Sequence, residues 1–143
     1  NYYLFGPHED SFPHLPNAVV PETRANVWQG FINTLNELNA MGKNVIVLLQ
    51  APEPPTHIDN LLFTHQEELN RVKGVSRAWW EQRNAFVKEH MDKLPGVRAV
   101  IDPTPMLCDE NYCYVTTNSQ KALYFDDDHL SIMGAHKVIS NIQ

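Results

Sequence analysis

The chain has 143 residues, 43% of them apolar, which suits one globular domain over residues 1–143 with a sizeable core. Acidic residues number 17 and basic ones 11, giving a formal charge of −6 that argues against nucleic acid as the main partner. No run of about 18 apolar residues occurs, so no segment of the chain reads as membrane-spanning.

Residues 1–5, Asn-Tyr-Tyr-Leu-Phe, read as the end of a strand and as the interior of a domain rather than its natural start. Gly6-Pro7 breaks that run. A proline-rich irregular loop follows to residue 21. His8, Glu9, Asp10 and His14 cluster in it and offer metal-ligand atoms, but loops collect such residues and the segment reads as polar surface.

Pro21-Glu-Thr-Arg opens a helix. Val27, Phe31, Leu35 and Leu38 recur at spacings of three and four, with Trp28 and Ile32 beside them, and Gly42 is a natural stop. Residues 44–50 are a continuous apolar run of strand length, as expected of a parallel strand buried on both faces. The Pro-rich loop at 51–55 leaves that strand at its carboxyl end. Ligand loops of open parallel sheets sit there, which brings Gln50 and Glu53 near any site without assigning them a role.

Residues 56–74 are mixed and read as a lid or insertion, with a short helix over 66–72. A second helix is expected over residues 76–94, capped by Ser76 and ended by Pro95-Gly96. One of Trp79 and Trp80 is expected to pack on a sheet, although a pair of this kind can also stack on a sugar. A short strand follows at 97–101. Cys108 and Cys113 are spaced for a small disulfide loop, and equally for two reduced thiols.

The chemistry concentrates in Tyr124-Phe-Asp-Asp-Asp-His-Leu-Ser-Ile-Met-Gly-Ala-His136. A histidine working as a general base needs a partner on its other ring nitrogen, and a carboxylate there fixes the tautomer. Asp126 and His129 are three apart, so few torsions separate them. Ser131 suits a helix N-cap, with Ile132, Met133, Val138 and Ile139 as the buried face of a closing helix. Asp126, Asp128 and His129 could also be hard metal ligands, but no second ligand cluster has recognisable spacing. A solvated acidic turn is the remaining reading.

The stretch from Leu123 to Ala135, with the upstream Val-Leu-Leu-x-x-Pro-x-Pro loop, the Val-Ile-Asp strand and the two cysteines, resembles the SGNH hydrolase superfamily. More narrowly, it resembles the extracytoplasmic SGNH domain fused to acyltransferase-3 membrane proteins that O-acetylate bacterial surface polysaccharides. The resemblance covers residues 44 to 137. It implies a flavodoxin-like three-layer α/β sandwich with a parallel sheet, present here in part. It implies that Asp126 is the triad acid and His129 the general base, and that Cys108 and Cys113 form a disulfide in the periplasm. Asp127 and Asp128 have no triad counterpart, and His136 reads as a helix-surface residue.

The family's Gly-Asp-Ser block and its oxyanion-hole glycine and asparagine are not recognisable here. Serines stand at 11, 76, 119, 131 and 140, none in that context. The expectation is a C-terminal part of the domain, with the serine-bearing strand upstream, and no activity from this chain by itself. The function implied is acyl transfer to a glycan hydroxyl, with the donor delivered by the membrane acyltransferase-3 domain. No metal or other cofactor is expected. The rivals are a carbohydrate esterase, a non-catalytic glycan-binding or assembly module, and a metal phosphoesterase.

Overall fold

A computed structural model describes residues 21–64 and 71–140 of the protein. The expectations for the strand at 1–5, the His8–His14 loop and most of the helix at 66–72 fall outside those residues. Helix α1, Pro21–Ala40, forms as expected and gives way to a turn in which Gly42 takes a φ of +69°. Leu35 is its most buried side chain, with Trp28, Phe31, Ile32 and Leu38 half-buried on the same side. Val27, expected on that face, lies at its exposed margin.

Strand β1, Val45–Leu48, runs parallel to β3, Val97–Ile101, with Leu48 opposite Ile101. The Leu49 N–H extends the ladder to the Ile101 carbonyl at 2.9 Å. The mixed helix and strand order with this small parallel sheet is that of a partial α/β fold. Burial of β1 on both faces, expected from its apolar run, does not hold. Ile46 and Leu48 are 50% and 53% exposed, because the packing lies on the opposite face, where Val47, Leu49, Phe86, Val87, Met91 and Val100 cluster.

The helix expected over 76–94 is interrupted. Ser76, its expected first residue, ends strand β2, Lys73–Ser76, which pairs antiparallel with β4, Tyr112–Tyr114. Ser76 then caps α3, Arg77–Arg83, accepting the Trp79 N–H at 3.2 Å. The helix stops at Asn84, a weak helix former, as Arg83 turns inward, and restarts as α4, Ala85–His90. A 3-10 turn over Met91–Lys93 closes the segment. Trp28 of α1 packs edge-on against Phe86 and His90 of α4, with ring centroids 5.6 and 5.5 Å apart, which ties α1 to α4.

Of the tryptophan pair, Trp80 is fully buried, and its indole N–H donates to Thr104 Oγ1 at 3.0 Å. Thr104 belongs to α5, Thr104–Leu107. Truncation of such a side chain to alanine costs about 3–5 kcal/mol. Cys108 and Cys113 are joined by a disulfide across an antiparallel bridge, beside Trp80 and Val75. A loop this short stabilises the fold by about 2 kcal/mol, mainly by restricting the unfolded chain.

Short helix α2, Ile58–Thr64, occupies part of the expected lid and buries Ile58 and Leu61 in the main core with Val72, Leu107, Val115, Leu123 and Val138. The closing helix α6, Ile132–Ile139, joins that core through only part of the face expected, with Val138 buried as expected. Gly134 and Val138 are buried, whereas Ile132, Met133 and Ile139 are exposed. Glycine decides this docking: a Cβ on Gly134 would lie 2.0 Å from the Leu123 carbonyl oxygen. The missing Cβ at 134 therefore lets α6 approach the Leu123 backbone closely, and Val138, one turn on, is buried on the same face.

Candidate active site

The stretch before α6 folds into a tight hairpin. Tyr124 and Leu130 pair as an antiparallel bridge, and the Phe125 N–H donates to the His129 carbonyl at 2.8 Å. The base of the hairpin is pinned to α6 by Ser131. Its hydroxyl donates to the Ala122 carbonyl at 2.8 Å and accepts the Gly134 N–H at 3.1 Å, which makes it the expected N-cap.

Asp126 organises the turn. Its Oδ1 accepts the backbone N–H groups of Asp128 at 3.0 Å and His129 at 2.7 Å. Its Oδ2 stands 2.9 Å from His129 Nδ1. One carboxylate thus sets both the backbone and the ring of the histidine, and selects the tautomer with the proton on Nδ1. A second carboxylate shares that nitrogen, with Asp128 Oδ1 at 2.7 Å. The His129 side chain is 73% exposed, so the ring opens to solvent on the side away from the two acids.

The electrostatics follow from these contacts. The backbone N–H groups of His129 and Asp128 hold the Asp126 carboxyl well below the usual carboxylate range. The hydrogen bond that His129 Nδ1–H donates to Asp126, then the charge of Asp128, raise the His129 imidazole above its ordinary value. Asp128 moves the other way from Asp126: partial burial raises its carboxyl, and the facing His129 only partly opposes that.

The turn rests on the carboxyl end of β1. Gln50 Nε2 donates to the Asp128 carbonyl at 3.4 Å. Residues 51–54 beneath are buried. Glu53 Oε2 accepts from Arg83 through both Nε and Nη2, each at 2.6 Å, with both side chains almost fully buried. The buried Tyr124 phenol is raised by desolvation and by the nearby Glu53. Gln50 and Glu53 carried no assigned role in the sequence. Their position at the end of a parallel strand was the signal that placed them near the site.

The described serine hydroxyls are all engaged locally. Ser76 and Ser131 cap helices, Ser119 bonds Thr117 at 3.0 Å, and Ser140 donates to the His136 carbonyl at 2.6 Å. Ser11 lies outside the described residues. His136 is exposed on α6, as a surface residue. Asp126, Asp128 and His129 place ligand atoms within 4.8 Å of one another, so they are the described residues that could hold a cation. Three hard donors suit a divalent ion, but the same atoms already form the ring and backbone hydrogen bonds of the turn.

Among the described residues, no helix is long and apolar enough to cross a membrane. No curated protein and no solved structure matches the chain. The family model of the SGNH domain fused to AT3 domains matches residues 1–143. The chain therefore belongs to the SGNH domain family fused to AT3 domains, whose chemistry is broadly of the esterase and acyltransferase type.

Proposed function

We propose that the parent protein transfers an acetyl group to a carbohydrate hydroxyl through a serine ester, with this chain supplying Asp126 and His129. The observation that carries the reading is the Asp126 carboxylate on His129 Nδ1 at 2.9 Å, which leaves Nε2 of an exposed ring for proton transfer. His129 Nε2 takes the proton of a serine hydroxyl as its oxygen attacks the acyl carbonyl, and gives that proton to the leaving group. It then takes the proton of the sugar hydroxyl that attacks the acyl-serine, and returns it to the serine. Asp126 stays ionised throughout and stabilises the imidazolium.

The serine belongs, in this reading, to a segment outside the described residues, and the acyl donor comes from the membrane acyltransferase domain. The Cys108–Cys113 disulfide suits an extracytoplasmic, oxidising compartment. The test is acetyl transfer by the parent protein to a sugar acceptor. His129→Ala is expected to lower it by at least about a thousandfold, since the members of such a unit act together. Unchanged transfer would leave a glycan-binding or assembly module instead.

The exposure of His129 favours one second reading, hydrolysis, because water can reach the same acyl-enzyme. Product analysis with and without the acceptor separates the two: acetylated sugar marks transfer, and free acetate alone marks the esterase.

A further inference from the structure

A groove lies on the flank of the β2–β4 sheet, outside the Asp126–His129 turn. Two cavities of about 470 and 420 Å³ adjoin, with Arg71, Tyr114 and Asn118 as shared walls. That volume is in the range of sites for small organic ligands. Lys73 lines the smaller lobe, and Lys137 of α6 lines the larger. Three cations thus line the groove, and no described lining residue is acidic, in a chain whose formal charge is −6.

The groove is built rather than incidental. The Arg71 guanidinium lies 3.7 Å from the Tyr114 ring centroid, and the Lys73 ammonium lies 4.5 Å from that of Tyr112. The Tyr114 hydroxyl donates to Asp109 Oδ2, while the Asn111 and Tyr112 N–H groups donate to Oδ1. These bonds, the Tyr114 one foremost, hold the Asp109 carboxyl down at about 2. Asp109 in turn stands 3.7 Å from Arg71 and steadies it from behind. The Cys108–Cys113 disulfide closes the same loop. Arg71, Lys73 and the aromatic rings are therefore positioned before any ligand arrives, which lowers the ordering cost of binding.

We propose that this groove binds an anionic stretch of the acceptor glycan, a saccharide bearing carboxylate groups. Arg71 and Lys73 meet the charge, and Asn118 with Ser119 offers hydrogen bonds to ring hydroxyls. Leu123 forms part of the wall, one residue before the hairpin that carries the site begins. The proposal rests on the reading of the domain as glycan-acting and names the class of glycan.

The experiment is calorimetric titration of the purified full chain with a short oligogalacturonate, a malto-oligosaccharide of equal length, and inorganic polyphosphate. Oligogalacturonate is expected to bind, with an affinity that falls as salt rises, and the neutral oligosaccharide is not. Lys73→Gln and Asn118→Ala are each expected to weaken it about tenfold. Both side chains are exposed, so the folded state is retained, which the thermal transition checks. No binding of oligogalacturonate, equal binding of the neutral oligosaccharide, or binding unchanged by both variants overturns the proposal. Polyphosphate binding as tightly, with Asn118→Ala without effect, also overturns it, because the groove would then be a general anion surface. The readout is binding alone, so a failure of acetyl transfer in the parent protein leaves this test intact.

Discussion

Arg83 holds Glu53 with two nitrogens on one oxygen, both contacts at 2.6 Å, with side chains only 2% and 5% exposed. The pair joins the end of α3 to the loop after β1, the loop on which the site rests. Removing one partner strands the other charge in a desolvated setting. Arg83→Met is expected to cost about 3–5 kcal/mol, read as a lower midpoint in urea denaturation. The Glu53→Gln, Arg83→Met double variant is expected to recover part of that loss, because no bare charge then remains buried.

Asp126→Asn separates the two duties of Asp126. The amide oxygen can still accept the Asp128 and His129 backbone N–H groups, so the turn survives and the thermal transition moves little. The amide nitrogen can then face His129 Nδ1 and disfavours the proton there, opposed only by Asp128 at 2.7 Å. Acetyl transfer by the parent protein is expected to fall by about four orders of magnitude, in kcat rather than KM. A loss below tenfold would remove Asp126 from the proton relay.

The pH profile reports the two acids on His129. A base must be neutral to act, and the His129 imidazole is raised above 6.5 by the Asp126 hydrogen bond and then by Asp128. The rate is therefore expected to climb with pH through a midpoint above 6.5, and not to level off below it. Asp128→Asn removes one of the two charges, so the midpoint moves to lower pH. For stability the sign is opposite. Protonated His129 contributes fully below its unfolded value, and that contribution is lost as pH rises through the folded one. Measuring kcat/KM and the urea midpoint on one pH series checks both directions.

Gly134→Ala tests the docking of α6. The added methyl would meet the Leu123 carbonyl oxygen at 2.0 Å, a backbone atom that cannot swing aside. A cost of about 3 kcal/mol is expected, seen as a lowered melting temperature. Ala135→Gly in the same helix, half-buried and without that contact, is expected to cost about 1 kcal/mol through helix propensity alone.

What could be read in the sequence was local. Helix α1, strands β1 and β3, the caps at Ser76 and Ser131, and the Asp126–His129 turn are each written within a few residues of periodicity or side-chain chemistry. Contacts between distant segments were not legible. The pairing of Lys73–Ser76 with Tyr112–Tyr114 carries no strong alternation, and its strands are short and interrupted by a register shift. The break at Asn84 depends on where Arg83 finds Glu53, 30 residues earlier. The bond from Gln50 to Asp128 spans 78 residues. On α6 Val138 is buried as expected while Ile132, Met133 and Ile139 are not, for a related reason: Gly134 carries no apolar signal, yet its missing side chain lets its own face dock.

Because Asp126 and His129 sit in one seven-residue hairpin, their mutual geometry owes little to the rest of the chain. Loops of this length close in well under a microsecond, whereas β1 must find β3 across some fifty residues. The Asp126–His129 pair is in effect a prefabricated cartridge. The task left to tertiary folding is to seat that cartridge, and the Ser131 cap, Gly134 and Gln50 are its mounting points. Substitutions that loosen those mounts will misalign a correctly formed couple rather than dismantle it.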